Sequence, residues 1–162
     1  MGVDEADFYE AIASFKGASK RMEKIAEKGS TVIFKDFAHS PSKVKATTNA
    51  VKEQYPNRRL LACLELHTYS SLNAEFLQEY QGALNQADEA VVFYSPDAVR
   101  IKGLAEVTEP QIREAFKNEN LKVYTEPKVF QEFLFGENLD DTALLLMSSG
   151  NYGGLDFEKL KK

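Results

Sequence analysis

Short apolar runs separated by amphipathic segments are the feature that most constrains how this chain can fold. Four such runs occur, at residues 31–34 (TVIF), 60–66 (LLACLEL), 90–94 (AVVFY) and 143–147 (ALLLM). Their β-branched and aliphatic residues are typical of strands that are buried on both faces of a parallel sheet. Because helices of roughly a dozen residues are predicted between them, the pattern indicates βαβ units with right-handed crossovers. We therefore expect a Rossmann-like α/β fold, in which a mostly parallel sheet is flanked by helices.

The remaining segments fit the same architecture. Residues 21–26 and the strand from Thr31 flank Lys28-Gly29-Ser30, which predicts an N-terminal β-hairpin. The residues from Ser95 to about Val107 are predicted to form a loop. Helices are predicted at 4–15, 41–54, 70–87, from Thr108 onward and at 127–135, with a further strand at 121–124 and a short helix at the end. No linker or repeat divides the 162 residues, so we expect residues 1–162 to form a single domain.

Composition argues against several classes of partner. The net charge of −5 does not favour binding to nucleic acid or to an anionic membrane. No apolar run approaches the roughly 20 residues that a membrane-spanning helix needs. The first residues, MGVDEADFYEAI, lack the pattern of a signal peptide, and Cys63 is the single cysteine. A reducing, cytoplasmic location is therefore expected.

Three polar segments each follow a predicted strand. They read KDFAHSP after the first buried run, HTYSSLN after the second and SSGNYGG after the last. The carboxyl ends of parallel strands lie at one edge of a sheet, which is where α/β proteins bind their ligands, so the segments are expected to converge there. Ser40-Pro41 also predicts a helix N-terminus at this edge. The three glycines of the last segment suggest a backbone that approaches a ligand closely.

Each segment alone also has a structural explanation or another functional one. Asp36 could cap its turn, and His39 and His67 could be ordinary turn histidines or the base of a small hydrolase. A metal cluster that adds Cys63 and Glu65 to these residues is disfavoured, because both lie within a strand and the spacing does not match zinc sites. The buried position also disfavours Cys63 as a nucleophile. The chain has neither a GxxxxGK[ST] phosphate loop nor a GxSxG elbow, and a stand-alone ligand-binding module remains an alternative.

Taken together, the motifs resemble the C-terminal domain of the Mur ligases, the ATP-dependent amide-bond-forming enzymes of peptidoglycan synthesis. FKGASKRME at 15–23 resembles the family pattern F-x-G-x-x-x-R-x-E, and DFAHSP at 36–41 resembles D-[YF]-[AG]-H-x-P. HTYS at 67–70 resembles the H-x-Y-S of one branch. SSGNYGG at 148–154 looks most like the S-N-G-x-F-G-G ending of the recycling branch. That branch joins a salvaged tripeptide, L-alanyl-γ-D-glutamyl-meso-diaminopimelate, to UDP-N-acetylmuramate.

The resemblance implies roles for individual residues. Arg21 would reach ATP across a domain interface, and Asp36 would bind the ATP ribose. The residues that would line the amino or peptide substrate are Phe37, His39, Ser40, His67, Tyr69, Ser148, Ser149, Asn151 and Tyr152. The family's other two domains, which bind the UDP-sugar and, with Mg²⁺, the ATP phosphates, are absent from these 162 residues. The implied partners are thus UDP-N-acetylmuramate, the tripeptide and those two domains. The resemblance implies no catalytic residue in this domain alone. The isolated fragment is therefore expected to be inactive.

Two departures from the family pattern matter. Lys35 stands where the family often has a second acidic residue before the aspartate. Thr68 and Ser71 stand where the alanine-adding enzyme has the two arginines of its H-R-Y-[ST]-R motif. Those arginines would bind the carboxylate of a free amino acid. Their absence favours a longer peptide substrate, with L-alanine as the alternative.

Overall fold

A computed structural model describes residues 22–162 and shows a six-stranded sheet flanked by helices. The strands lie in the order β1-β2-β6-β3-β4-β5. The β1–β2 pair is antiparallel and every other pair is parallel, so the predicted hairpin and the predicted Rossmann-like α/β fold are both confirmed. The predicted helix at 4–15 and Arg21 lie outside the described residues. The strands are β1 (Glu23–Lys28), β2 (Thr31–Asp36), β3 (Arg59–Leu66), β4 (Glu89–Tyr94), β5 (Lys122–Tyr124) and β6 (Thr142–Met147).

Each α-helix of the described residues begins with a proline in its first turn, where a missing N–H removes no hydrogen bond. Thr108 and Gln111 form a full capping box at the start of α3. Ser40 occupies the N-cap position of α1, as predicted, but its side chain makes no capping hydrogen bond. The helices are α1 (Pro41–Gln54), α2 (Pro96–Ile101), α3 (Glu109–Phe116) and α4 (Pro127–Gly136), with short 3₁₀ helices at Phe76–Tyr80 and Phe157–Lys161.

Two predicted segments are wrong. The helix expected at 70–87 is a series of turns with the 3₁₀ helix Phe76–Tyr80 in the middle. The side-chain oxygen of Asn73 accepts hydrogen bonds from the backbone N–H groups of Glu75 and Phe76, and these bonds compete with those of a regular helix. Gly82 has a positive φ of 75°, which a helix does not allow. The loop expected at 95–107 contains helix α2, whose first turn is capped by the Ser95 side chain.

The central strands are buried on both faces, as their apolar runs predicted. Alternate residues of β3 point to opposite sides of the sheet. Leu60, Ala62 and Leu64 join the larger core cluster with α1 and α3, whereas Leu61 and Cys63 join a second cluster with α4 and the C-terminal segment. Within residues 22–162 every helix is too short or too polar to cross a membrane.

The strand order sets the position of the polar segments. β6 lies between β2 and β3, and the register pairs Asp36 of β2 and Leu64 of β3 with the same residue, Met147 of β6. The three strands therefore end close together at one edge of the sheet.

Candidate functional site

The three polar segments converge at that edge, as the sequence predicted. The backbone N–H of Ser148 donates to the carbonyl of Asp36 at 3.0 Å, which joins the segment after β6 to the end of β2. Gly150 packs on the side chains of Glu65 and His67, which joins it to the end of β3. Residues 36–41, 67–73 and 148–154 thus lie together at this edge of the sheet, and we call them the strand-end site.

Asp36 has a structural role at this site in addition to any role toward a ligand. Its Oδ1 accepts a hydrogen bond from the N–H of Ala38 at 3.3 Å, and its Oδ2 accepts one from the hydroxyl of Thr47, on α1, at 2.8 Å. These contacts hold the turn against the first turns of α1. A carboxylate has about four acceptor positions, so Asp36 keeps capacity for further donors such as hydroxyl groups.

The Phe37–His39 turn is braced from two sides. The Nδ1 of His39 donates to the carbonyl of Phe37 at 2.9 Å, and the two rings pack edge to face with centroids 5.1 Å apart. The hydroxyl of Tyr80 donates to the carbonyl of His39, which ties the turn to the 3₁₀ helix. Burial raises the pKa of Tyr80, so this hydroxyl keeps its proton. The turn is held in one conformation by contacts that a ligand does not have to supply.

The segment after β3 presents no positive charge close to His67. Thr68 and Ser71 bind each other: the Thr68 N–H donates to Oγ of Ser71 at 3.0 Å, and the Ser71 N–H donates to Oγ1 of Thr68 at 3.1 Å. Ser71 is buried. Tyr69 is 63% exposed, and the ammonium of Lys102 lies 4.6 Å from the centre of its ring.

An open groove begins at Tyr69 and extends past Leu104 to the end of β4. One cavity of about 560 Å³ is lined by Tyr69, Asn73 and Phe76, among others, and reaches Leu104. A second, of about 460 Å³, shares Leu104 and continues to the end of β4. The two cavities together form a long groove next to the strand-end site.

Glu65 is the buried acidic residue at the centre of the strand-end site. It is 4% exposed, and its Oε2 accepts hydrogen bonds from the hydroxyl of Ser148 and from the N–H of Tyr152, the latter at 2.8 Å. Its Oε1 lies 3.7 Å from Nδ1 of His67. Glu65 therefore joins the end of β3 to the segment that follows β6. Sequence reasoning considered it only as a metal ligand, although an acidic residue inside an otherwise apolar strand was a visible signal.

Tyr152 belongs to the core rather than to the ligand-facing surface. Its hydroxyl lies 2.8 Å from the carbonyl of Cys63 and 2.7 Å from that of Met147, and its ring stacks on Phe130 at 5.1 Å. Burial raises the pKa of Tyr152 well above its usual value. The sequence placed Tyr152 among the substrate-lining residues. Its side chain instead anchors the loop, and the whole residue is buried.

The other residues of the last segment face different surroundings. Among the described residues, the Oγ of Ser149 is buried and has no hydrogen-bond partner. Asn151 is exposed, and its Oδ1 accepts from the N–H of Gly154 at 3.2 Å. A Cβ on Gly153 would lie 2.6 Å from Pro127, so this glycine is required by packing against α4. The glycine pattern that suggested ligand contact is thus explained at Gly150 and Gly153 by contacts within the chain.

No three of the His, Cys, Asp and Glu side chains in residues 22–162 form a group that could hold a metal ion. Cys63 lies fully buried in β3, and burial raises its pKa, so its thiol stays protonated. The strand-end site is built from turns, backbone groups and two histidines.

Comparison with known proteins gives one consistent family. The sequence model of the Mur ligase, glutamate ligase domain matches residues 20–150. A curated relative, UDP-N-acetylmuramate–L-alanine ligase of Porphyromonas gingivalis, is 30% identical over 147 residues, which cover 90% of this chain and 31% of that protein. The chain spans about a fifth to a third of the length of the curated relatives it matches.

Two solved structures share the fold at low sequence identity. A murein peptide ligase from Psychrobacter arcticus aligns with a TM-score of 0.63 at 20% identity, over 93% of this chain and 31% of that one. A MurF ligase from Thermotoga maritima in complex with ADP aligns with a TM-score of 0.53 at 19% identity, over 98% of this chain and 32% of that one.

Proposed function

The chain belongs to the Mur ligase family, and we propose that it is the C-terminal domain of an ATP-dependent murein peptide ligase of the cytoplasm. The whole enzyme joins the tripeptide L-alanyl-γ-D-glutamyl-meso-diaminopimelate to UDP-N-acetylmuramate, and so reuses cell-wall peptide. The UDP-sugar and most of the ATP are bound by two further domains that residues 1–162 do not include.

On the nucleotide side, this domain contributes Asp36 and Arg21. The free acceptor positions of the Asp36 carboxylate suit the two hydroxyls of a ribose, and the turn around it is already ordered by Ala38 and Thr47. Arg21 would contact a phosphate, for which its planar guanidinium is well matched. Mg²⁺, which neutralises phosphate charge, would be held mainly by the central domain.

On the amine side, the domain delivers the peptide to an acyl phosphate formed on the muramate carboxylate. The peptide amine attacks the carbonyl carbon, its nitrogen gives up a proton to solvent, and the tetrahedral intermediate expels phosphate, which leaves the amide. The strand-end site supplies orientation, through His39 and Ser40 from one segment and His67 and Ser149 from the other two. Bringing two bound reactants together in this way can contribute on the order of 7–11 kcal/mol to the barrier reduction in well-oriented systems.

The observation that carries the choice of a peptide over L-alanine is the state of Thr68 and Ser71. The family's alanine-adding enzyme has arginines at these positions, whereas here each side-chain oxygen accepts a hydrogen bond from the backbone N–H of the other residue. Neither Thr68 nor Ser71 can supply the positive charge that those arginines would offer to a free amino acid's carboxylate. The groove that starts at Tyr69 offers a tripeptide the room that alanine does not need.

The alternative within the family is addition of L-alanine itself. It is favoured by the names of the curated relatives, among them the ligase of Porphyromonas gingivalis. The two candidates differ only in the amine substrate, so one kinetic comparison separates them.

The test is phosphate release by the full-length enzyme that contains this chain, with ATP, Mg²⁺ and UDP-N-acetylmuramate present. We expect kcat/KM for the tripeptide to exceed that for L-alanine by at least about 100-fold, the scale of one lost charge-assisted contact. Thr68→Arg should raise kcat/KM for L-alanine, and Glu132→Gln, on the exposed face of α4, should change neither value. Higher kcat/KM for L-alanine in the wild type would refute the proposal.

A further inference from the structure

Within residues 22–162, the hydrogen bonds of the buried Glu65 carboxylate use only one of its two oxygens. Oε2 receives both donors, the Ser148 hydroxyl and the Tyr152 N–H, whereas Oε1 is directed toward Nδ1 of His67 at 3.7 Å. The side chain of Glu65 is 5% exposed and that of His67 is 45% exposed. A carboxylate buried this deeply acts strongly on the polar groups that face it, because little water screens them from it.

The surroundings of the His67 ring restrict which of its atoms can meet a ligand. The position of a Cβ on Gly150 would be 3.0 Å from Cγ and 3.1 Å from Cδ2 of the ring, so the Gly150 backbone covers that side. Glu65 faces Nδ1. The remaining ring atoms, Cε1 and Nε2, form the side that the exposed part of the residue can present.

We propose that Glu65 is a positioning residue that selects the tautomer of His67, with the proton on Nδ1 and the lone pair on Nε2. A neutral imidazole carries one proton, and the nitrogen that bears it is decided by the group facing the ring. A carboxylate oxygen is attracted to an N–H and repelled by a lone pair. The Nδ1–H form is therefore favoured, and Nε2 becomes a hydrogen-bond acceptor at the strand-end site.

The consequence for a ligand rests on the proposed function. An incoming peptide amine must present its lone pair to a carbonyl carbon while its N–H groups are held by acceptors. Nε2 of His67 is such an acceptor, next to the backbone of Gly150, and in the Nε2–H form it would repel the same N–H groups. Glu65 thus acts on the amine through His67, without touching it.

The direct test is ¹⁵N NMR of the 162-residue chain with labelled histidine, at a pH at which both imidazoles are neutral. The chain has two histidines, His39 and His67, and His67→Gln assigns the signals. We expect the wild type to show the Nδ1–H pattern at His67, the opposite of free histidine in water. An Nε2–H pattern at His67 in the wild type would overturn the proposal.

Glu65→Gln separates charge from hydrogen bonding. The glutamine carbonyl can still accept from Ser148 and Tyr152, but its amide N–H₂ then faces Nδ1, which makes that nitrogen an acceptor. His67 should change to the Nε2–H form, whereas His39, whose Nδ1 donates to Phe37, should not change and serves as an internal control. Unchanged His67 signals in Glu65→Gln would also refute the proposal.

Kinetic measurements on the full-length ligase distinguish a failure of this inference from a failure of the proposed function. In the full-length ligase, Glu65→Gln should raise KM for the peptide at least tenfold and leave KM for ATP unchanged, whereas Glu132→Gln should alter neither. Equal loss of affinity for ATP and peptide would indicate a general structural defect and contradict the positioning role. An inactive wild-type enzyme with the expected NMR result would sink the proposed function and leave the Glu65–His67 assignment standing.

Discussion

Replacement of Gly150 by alanine is the sharpest test of how the strand-end site is held together. The backbone of Gly150 lies outside the left-handed region, so an alanine there is not strained by its φ angle. Its Cβ, however, would lie 2.9 Å from Oε2 of Glu65 and 3.0 Å from Cγ of His67. The effect of the substitution is therefore purely steric, and it acts on the two residues that join the loop to β3.

The expected cost follows from what would have to move. Glu65 is buried, and the oxygen that the new methyl approaches also holds the Ser148 hydroxyl and the Tyr152 N–H. A shift of a few tenths of an ångström weakens both hydrogen bonds. Overpacking of this kind costs about 1–3 kcal/mol, and with the loss of hydrogen-bond geometry we expect about 2 kcal/mol.

Gly136 provides the matched control. It is the last residue of α4, its φ is not positive and a Cβ there would have no neighbour within 4 Å. Gly136→Ala should be neutral or should stabilise by about 0.4–1 kcal/mol, because alanine restricts the unfolded chain. Urea unfolding, followed by far-UV circular dichroism, gives the free energy of unfolding of each variant. The two values are comparable when both variants have the same slope m. If the free energies of unfolding of Gly150→Ala and Gly136→Ala differ by less than about 0.5 kcal/mol, the packing of the loop on Glu65 and His67 is refuted.

Three further predictions concern single side chains. Cys63 should not react with a thiol reagent at pH 8 in the folded chain and should react fully in urea, because burial keeps its pKa high; rapid native labelling would contradict this. Burial alone would raise the pKa of Asp88, but hydrogen bonds from the Leu60 N–H and the Lys52 ammonium outweigh it and lower the pKa. This stabilisation is present above the ordinary pKa of about 4 and is lost as the pH falls through the lower pKa of the folded state. Asp88→Asn should therefore lower the urea midpoint at pH 7. Between pH 7 and pH 3 the midpoint of the variant should fall less than that of the wild type. Asp36→Ala in the full-length enzyme should raise KM for ATP tenfold or more, and an unchanged KM would rule out the ribose contact.

The parts of the fold that could be predicted are those where several local signals agree. Helix α1 begins at Pro41 and ends at Gln54, as expected, because proline sets its start and Pro56 disfavours helix in the residue before it. Strand β6 differs from the strand predicted at 143–147 only in that it begins one residue earlier, at Thr142. Buried parallel strands tolerate few polar residues, so their runs are easy to recognise.

The errors arose where side chains compete with the backbone. Residues 70–87 have the apolar spacing of a helix, but Asn73 and the Thr68–Ser71 pair bind backbone N–H groups locally, and Gly82 breaks the pattern. Helix α2 was missed although Ser95-Pro96 repeats the signal of Ser40-Pro41, because its six residues are too few to show periodicity. Spacing alone does not report either effect.

For the candidate site, sequence order and strand polarity were enough to predict the convergence of three segments. They could not predict which side chains face the edge. Tyr152 and Glu65 show the difference: the tyrosine expected to line the substrate is in the core, and Glu65, considered only as a metal ligand, lies at the centre of the site. These directions depend on strand register and on packing between distant segments.

The central claim is that this domain belongs to an enzyme that adds a peptide, and competition in one reaction tests it most directly. The full-length enzyme is given ATP, Mg²⁺, UDP-N-acetylmuramate and equal concentrations of the tripeptide and L-alanine, and the UDP-linked products are identified by mass spectrometry. The account predicts that the UDP-N-acetylmuramoyl tripeptide is the dominant product and that it does not form without ATP. Dominant UDP-N-acetylmuramoyl-L-alanine would contradict it.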